Sequence, residues 1–193
     1  MNRLEKVRKV KVHKILDAAQ RVFCRKGFLA VTMQDIIDEC GISRGGIYIY
    51  FSSVDEVFLE VMKQRNSERF STISKAVEDF ETVLETYLSR QKTRLLNFEN
   101  SIFRAYCEYI FSKPKDAVEA FRDMQFGHLR RTVVSILMLG VNQGKLKAND
   151  KRVEQLADHF IVTIDGLSVL ALSEALTEDI IDAQMNILVE MTK

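Results

Sequence analysis

The scarcity of proline and glycine is the feature that most restricts how this chain can fold. One proline and eight glycines stand among 193 residues. Because these two residue types are the main interrupters of regular structure, their scarcity predicts long helices joined by short turns. The alternation of apolar β-branched and polar residues that marks half-buried strands is missing as well. The sequence therefore predicts an all-α protein, with about nine helices.

Helix start and stop signals follow one another closely near the amino terminus. The apolar spacing predicts a first helix over residues 10–26, which ends at Gly27. Thr32 is a suitable N-cap, and Asp35 three residues later completes an acidic variant of the capping box. A second helix is therefore predicted over residues 33–40.

The turn after this second helix is very short. Gly41 can adopt the left-handed backbone that ends a helix, and Ser43 is already the N-cap of a third helix over residues 44–50. Gly45 and Gly46 in its first turn cost roughly 1 kcal/mol each relative to alanine, which indicates a backbone that must approach something closely. Two helices joined in this way are typical of a helix-turn-helix, whose second helix enters the major groove of DNA.

The charges are divided unevenly along the chain. Residues 1–51 carry a net charge of +5 and the remainder carries −4, although the whole chain is at only +1. A basic segment joined to a mildly acidic one indicates that only the first segment meets a polyanion. A solvated basic tail would give the same composition, so charge alone leaves both interpretations open.

Helix boundaries are less sharply marked further along. Ser53 and Glu56 form a capping box for a fourth helix over residues 54–73. The apolar pattern of residues 74–111 is too long for one globular helix, and we divide it near Lys92. The remaining helices are predicted to begin near Pro114, Asp150 and Thr177.

Broad apolar stripes mark the last two predicted helices. In the eighth helix the stripe consists of Ala157, Phe160, Ile161, Ile164, Leu167, Ser168 and Ala171, with Gly166 allowing close approach. In the ninth it consists of Ile180, Ile181, Gln184, Ile187, Leu188 and Met191. Two such stripes exceed what one small core needs, so we expect a homodimer through these helices. A self-contained core is the alternative.

The carboxyl-terminal part is rich in aromatic side chains, which can fill a core or line an apolar cavity. The residues named as a candidate small-molecule site are Phe103, Arg104, Tyr106, Glu108, His128 and Asp165.

Signs of catalysis or of a cofactor are weak. Three cysteines cannot all pair and lack the C-x-x-C spacing of a zinc site. Cys107 with His128 or His159 as base would suit a nucleophilic enzyme, but no nucleophile elbow, metal spacing or phosphate loop accompanies them. We therefore expect no enzyme, no cofactor and no metal.

No apolar run reaches the roughly 18–20 residues of a membrane span, and no signal peptide follows the basic start, so we expect a cytoplasmic protein.

Residues 10–59 closely resemble the DNA-binding domain of the TetR/AcrR family of bacterial transcription regulators. The resemblance is carried by Ile15-Leu16-Asp17-Ala18-Ala19, Phe23, Gly27-Phe28, Thr32-Met33, Ile36 and the continuous run from Gly41 to Phe51. It implies a homodimer, a ligand pocket in the larger domain, and release of DNA when ligand binds.

The resemblance also implies which residues face DNA. The positions that match are Thr32, Gln34, Ser43, Arg44, Gly45, Gly46, Tyr48 and Tyr50. Val54 stands where the family often has lysine, which removes a phosphate contact, and Ile37 and Cys40 replace its usual alanines.

Together these features predict a DNA-binding domain over residues 1–54 and a ligand-binding and dimerisation domain over residues 55–193. The expected function is a repressor that a small-molecule effector releases from a palindromic double-stranded DNA operator. The alternative is a DNA-binding protein of the same fold without a ligand, acting architecturally or through a protein partner.

Overall fold

The computed structural model describes the backbone of residues 3–73, 79–173 and 176–193, and the side chains of these residues except 3, 4 and 67–73. Within these ranges the chain forms nine α-helices and no strand, which confirms the predicted fold class. The helices are α1 (Arg3–Lys26), α2 (Met33–Cys40), α3 (Arg44–Tyr48), α4 (Val54–Ile73), α5 (Phe80–Leu96), α6 (Ile102–Ser112), α7 (Lys115–Asn142), α8 (Asp150–Leu172) and α9 (Glu178–Glu190). A single 3₁₀ turn, Phe98–Asn100, stands between α5 and α6.

Two predicted helix boundaries near the amino terminus are wrong. Helix α1 begins at Arg3 rather than at residue 10, because the Lys-, Arg- and Glu-rich start favours a helix even where no apolar face marks it. Helix α3 ends at Tyr48 rather than at residue 50, where the N–H of Tyr50 donates to the carbonyl of Ile47 in a tighter turn.

Two later signals also lie elsewhere than predicted. The long apolar stretch breaks at Asn97, five residues beyond the expected division near Lys92. Asn149, not Asp150, caps α8 by accepting from the N–H of Arg152. Residues 74–78, where that stretch begins, lie outside the described residues.

The chain divides into two compact units. The first comprises Met1–Thr72 and Glu99–Val118, and the second comprises Ile73–Phe98 and Glu119–Lys193. Helices α4 and α6 therefore belong with α1–α3. The predicted boundary after residue 54 concerns which part binds DNA, and it stays a prediction.

An aromatic cluster ties three helices and a turn of the first unit together. Phe23 of α1, Phe58 of α4, Tyr109 of α6 and Phe28 of the turn after α1 lie with ring centroids 4.9–6.2 Å apart. Such aromatic contacts stabilise beyond the area they bury. The cluster fixes the helix that precedes the helix-turn-helix.

A carboxylate on α6 closes the turn after α1. Glu108 accepts hydrogen bonds from the N–H groups of Phe28 and Leu29, at 2.6 and 2.9 Å. Gly27 has a left-handed backbone with φ of 75°, and a Cβ added there would lie 2.4 Å from the Glu108 oxygens. Glycine is therefore required at this position for both backbone conformation and space.

The second unit has its core between α5, α7, α8 and α9, and this overturns part of the predicted dimer surface. Six of the seven stripe residues of α8 are buried within the unit itself, and Ala171 is half-buried; Ile164, for example, is only 3% exposed. Ile181 and Leu188 of α9 are buried there too. The self-contained core, named above as the alternative, accounts for these residues.

Helix α8 is long and apolar enough, by length and composition, to cross a membrane, and it is the one such helix in the described ranges. Its apolar residues lie largely in the core of the second unit. A core helix of this kind satisfies the same criterion, so it gives only weak indication of a membrane span.

Candidate DNA-binding surface and ligand cavity

Local hydrogen bonds hold α2 and α3 in position. Thr32 accepts from the N–H of Asp35 at 3.2 Å, and Asp35 accepts from the N–H of Thr32 at 2.9 Å, which confirms the capping box. Gly41 ends α2 with φ of 67°, as predicted. Ser43 caps α3 by accepting from the N–H of Gly46 at 3.2 Å. The Gly-Ile-Ser turn therefore joins the two helices as the sequence indicates.

The fourth helix is capped slightly differently from the prediction. Ser53 accepts from the N–H of Glu56 at 3.2 Å, but the Glu56 carboxylate reaches one residue further, to the N–H of Ser52 at 2.7 Å. The hydrogen bonds that the N–H and the hydroxyl of Ser52 donate to this carboxylate lower the pKa of Glu56 below its usual value. They fix the chain between α3 and α4.

Three basic residues near the end of α1 form ion pairs with carboxylates of α2. Arg21 and Arg25 pair with Glu39 at 2.8 and 2.6 Å, and Lys26 pairs with Asp35 at 2.6 Å. The hydrogen bond from Lys26 is the main cause that lowers the pKa of Asp35 to about 2. These bases hold α2 against α1, and the two carboxylates offset most of their positive charge.

Five other basic residues of this unit lie on its surface. Arg8, Lys9, Lys11 and Lys14 in the first half of α1, together with Arg44 of α3, are exposed and have no ion pair among the described side chains. The amino-acid sequence gives the number of bases in α1 but does not separate those that pair from those that do not. Only the structure makes this division.

Helix α3 presents one face to the core and the other to solvent. Ile47 is fully buried and Phe51 is buried behind it, as the spacing of four residues predicts. Arg44 and Gly45 are exposed, Tyr48 is 44% exposed, and Tyr50 is half-buried. The two tyrosines thus differ in exposure, and Tyr48 is the more available for DNA.

The two glycines of α3 have different surroundings. A Cβ added to Gly45 would meet nothing within 4 Å. A Cβ added to Gly46 would lie 3.0 Å from atoms of both Ile42 and Ser43. A side chain at position 46 would collide with the turn before α3, so only Gly45 has the open backbone that was predicted for both glycines.

Two further predicted contacts already make internal hydrogen bonds. The hydroxyl of Thr32 takes part in the cap of α2, and Gln34 donates to the Asp38 carboxylate at 2.7 Å. Both side chains are exposed at the start of α2. Direct contact with DNA stays a prediction for all eight residues.

The six predicted ligand residues divide between the two units. Phe103, Arg104, Tyr106 and Glu108 lie on α6 in the first unit. Arg104 bridges Glu99 and Glu108, each at 2.9 Å. Glu108 thereby supports the turn at Phe28, a structural task that spacing alone did not suggest.

The other two lie in the second unit. His128 of α7 is buried, and Asp165 of α8 is half-buried near Arg94. Burial raises the pKa of Asp165, and the positive charge of Arg94 partly opposes this shift. That all six residues form one ligand site stays a prediction.

The second unit contains a cavity that sequence reasoning missed. It has a volume of about 580 Å³ and lies between α5 and α9, beside the turn after α7. Its apolar lining consists of Phe80, Leu84, Leu88, Met185 and Val189. The positions on α5 repeat at helical spacing, but this spacing indicates an apolar face without showing that a space is left beside it.

Ion pairs stand at two edges of this cavity. Lys92 pairs with Asp182 at 2.5 Å and with Glu178 at 2.8 Å, and Lys145 pairs with Glu81 at 2.9 Å. The hydrogen bond to Asp182 is the main cause that raises the pKa of Lys92, and Lys145 lowers the pKa of Glu81 to about 2. An apolar lining with a few charged groups is the usual composition of a small-molecule site.

An exposed apolar face runs along the other side of α9 and along α8. On α8, Val162 is 67% exposed, and Gly166 and Val169 follow it at helical spacing. On α9, Ile180 and Ile187 are exposed, the latter at 47%. We call these five residues the apolar face. It shares Gly166, Ile180 and Ile187 with the predicted stripes, whereas their buried members belong to the core.

Of the groups considered for catalysis, Cys107 and His128 are buried and His159 is exposed. Cys40 and Cys107 are buried and Cys24 is half-buried, and all three thiols are free. Burial is the main cause that raises the pKa of Cys24. Among the described side chains, no group of three or more His, Cys, Asp or Glu is arranged to hold a metal ion.

A capped pair of short helices with an exposed basic second helix defines the class of helix-turn-helix DNA-binding proteins. Residues 15–61 match the family described as "Bacterial regulatory proteins, tetR family". The chain is 30% identical over 166 residues to the HTH-type transcriptional regulator PksA of Bacillus subtilis (strain 168), covering 82% of this chain and 77% of that protein. It is also 27% identical to the uncharacterized HTH-type transcriptional regulator YfiR of the same organism, over 79% of this chain and 76% of that protein.

Solved structures agree at the level of the fold. A TetR transcription regulator from Haloarcula marismortui ATCC 43049 superposes with a TM-score of 0.73 at 18% identity, covering 95% of this chain and 97% of that chain. A putative transcriptional regulator from Saccharomonospora viridis in complex with choline gives 0.70 at 22% identity, covering 93% and 95%. The chain belongs to the TetR family and is a DNA-binding transcriptional regulator.

Proposed function

We propose that the protein is a repressor that binds an inverted-repeat operator as a homodimer and is released by a small-molecule effector. The proposal depends on one observation above all: α9 carries the apolar face on one side and lines the cavity on the other. Ile187 and Val189 are two residues apart, which corresponds to a rotation of about 200° around the helix. An effector in the cavity would therefore touch the helix through which two copies associate.

The apolar face supports the homodimer. Exposed isoleucine and valine side chains at helical spacing on two neighbouring helices are what a four-helix interface between two copies requires. A two-fold dimer places two copies of α3 on DNA, so its operator is an inverted repeat. The protein then acts in the cytoplasm, where its operator lies, and it has no catalytic role.

The cavity supports the effector. Had the core been completely filled, the alternative of a DNA-binding protein without a ligand would be favoured. The structure of the Saccharomonospora viridis protein with choline indicates that this fold accommodates a small molecule. The chemical identity of the effector is the question for a screen.

The dimer is tested with Val162→Glu and Ile187→Glu, each placing a charge on the apolar face. We expect monomers in sedimentation velocity and an operator affinity about 100-fold or more weaker, because each head then binds alone. Leu96→Glu is the control, since Leu96 is an exposed apolar residue of the same unit outside this face. Wild-type protein that is monomeric at micromolar concentration, or a footprint over a single half-site, would contradict the proposal.

The effector site is tested by screening small molecules, choline among them, for release of labelled operator. Asn186→Trp should then abolish release while operator affinity remains, because Asn186 is an exposed residue that lines the cavity. His128→Ala and Asp165→Asn test the six residues named from sequence instead. If the effector no longer releases these two variants from the operator but still releases Asn186→Trp, the effector binds outside the cavity. A screen without any releasing compound favours the regulator without ligand.

A further inference from the structure

The residue that points most directly away from the core at the end of α3 is Ile49. It follows the last residue of α3 in a helical backbone conformation, with φ of −67° and ψ of −27°. Two residues along a helix correspond to a rotation of about 200°, so Ile49 is nearly opposite the fully buried Ile47. Its side chain is 74% exposed, as much as any large apolar side chain in the described residues.

Gly45 lies four residues earlier on the same outward face. Because it has no side chain, and because nothing lies within 4 Å of where its Cβ would be, the helix surface beside Ile49 is flat. Arg44 and Tyr48, which are also four residues apart, lie together on the neighbouring face and are exposed polar groups predicted to face DNA. The outward face of α3 therefore consists of the branched apolar side chain of Ile49 next to a stretch of helix backbone that carries no side chain at Gly45.

Covering a large exposed apolar side chain removes its surface from water, which is favourable. In the major groove of DNA, the apolar group on a base edge is the C5-methyl of thymine. We infer that Ile49 contacts a thymine methyl group in each operator half-site and so determines sequence specificity at that base pair. Arg44 would contact a base or a phosphate through its charge, whereas Ile49 recognises the base pair by shape and apolar contact.

The test begins with an operator selected from random duplexes by the wild-type protein. Each thymine of one half-site is then replaced in turn by deoxyuridine, which removes the methyl group and keeps every hydrogen-bonding group. We expect one position at which the substitution weakens binding about fourfold, the factor that corresponds to ~0.8 kcal/mol for one buried methyl or methylene. At the other thymines the affinity should hardly change.

Ile49→Ala shows whether Ile49 is the residue that reads this methyl group. The variant should bind the unmodified operator more weakly and should lose the sensitivity to deoxyuridine at that one position. Ile49→Val, which keeps a branched side chain, should retain it. Leu29→Ala is the matched control, because Leu29 is equally apolar and 68% exposed but lies in the turn after α1. It should leave the deoxyuridine profile unchanged.

Two results would overturn the inference: a wild-type profile without any sensitive thymine, or a sensitive thymine that remains sensitive in Ile49→Ala. Neither outcome depends on dimerisation or on an effector. The scan therefore reports on Ile49 even if the proposed repressor mechanism fails.

Discussion

Replacing Gly45 by leucine should stabilise the protein and weaken its binding to DNA. Leucine is the better helix former by about 0.8 kcal/mol, and at Gly45 a side chain meets no neighbouring atom within 4 Å. For a protein of this size, 1 kcal/mol corresponds to a rise of about 2–4 °C in Tm. The new side chain, however, would stand on the outward face beside Ile49.

The same substitution at Gly46 should have the opposite effect on stability. Its Cβ would lie 3.0 Å from Ile42 Cγ1 and from Ser43 Oγ, so the cap of α3 would have to shift. Loss of such a cap costs about 0.5–2 kcal/mol, which cancels or exceeds the gain in helix propensity. Gly46→Leu should therefore leave the Tm unchanged or lower it.

Thermal unfolding and fluorescence anisotropy with labelled operator measure both effects on the same samples. An intruding side chain in a packed contact costs about 1–3 kcal/mol, so Gly45→Leu should bind about 5- to 150-fold more weakly. Gly45→Ala should give a smaller loss in the same direction. A Gly45→Leu protein that binds operator as tightly as wild type would show that this face of α3 does not meet DNA.

Three further predictions concern charge and stability. Arg44→Ala should weaken operator binding by roughly 1–3 kcal/mol if the side chain reads guanine, and wild-type affinity should fall with salt at a log–log slope of several units; a flat salt titration would contradict both. Glu108→Ala should lower the free energy of unfolding in urea by about 2–3 kcal/mol, since it leaves the N–H groups of the turn at Phe28 unsatisfied, and an unchanged midpoint would count against this role. The pKa of Asp35 is lowered from 3.8 to about 2 in the folded state. Its contribution to the free energy of unfolding is therefore complete above about pH 4 and is lost as the pH falls towards 2. Asp35→Asn should remove that part of the acid dependence of the urea midpoint, and a variant with the wild-type profile would refute this.

Features set by neighbouring residues were predicted correctly. The caps at Thr32 and Ser43 and the stop at Gly41 depend on hydrogen bonds and backbone angles within a few residues, so sequence carries them completely. The buried positions Ile47 and Phe51 followed from helical spacing in the same way. Local chemistry therefore sufficed for the caps and the turn of the helix-turn-helix, although not for the end of α3.

Features set by distant residues were not predicted. An apolar stripe such as that around Ile164 looks the same in sequence whether it faces its own core or a second copy, and the structure places it in the core. The role of Glu108 depends on a turn about 80 residues earlier. The difference between Gly45 and Gly46 is local, but it depends on where the Ile42 side chain lies, which residue spacing does not give. The cavity is a space that the packing of the helices leaves open, and amino-acid composition alone does not show where such a space lies.

The division of the chain into units bears on how an effector would act on DNA. The chain passes between the units three times, near residues 72, 98 and 118. Helix α6 is therefore joined at both ends to the second unit, while its own Glu108 supports the turn that precedes α2 in the first. A change in the second unit that displaces α6 would reach the helix-turn-helix through this hydrogen-bonded turn.

The coupling is reciprocal, so saturating operator must weaken effector binding by the factor by which effector weakens operator binding. Release of most of the operator-bound protein requires a few kcal/mol of such coupling. Effector affinity measured with and without operator DNA gives this factor directly, and equal affinities would exclude release by the effector.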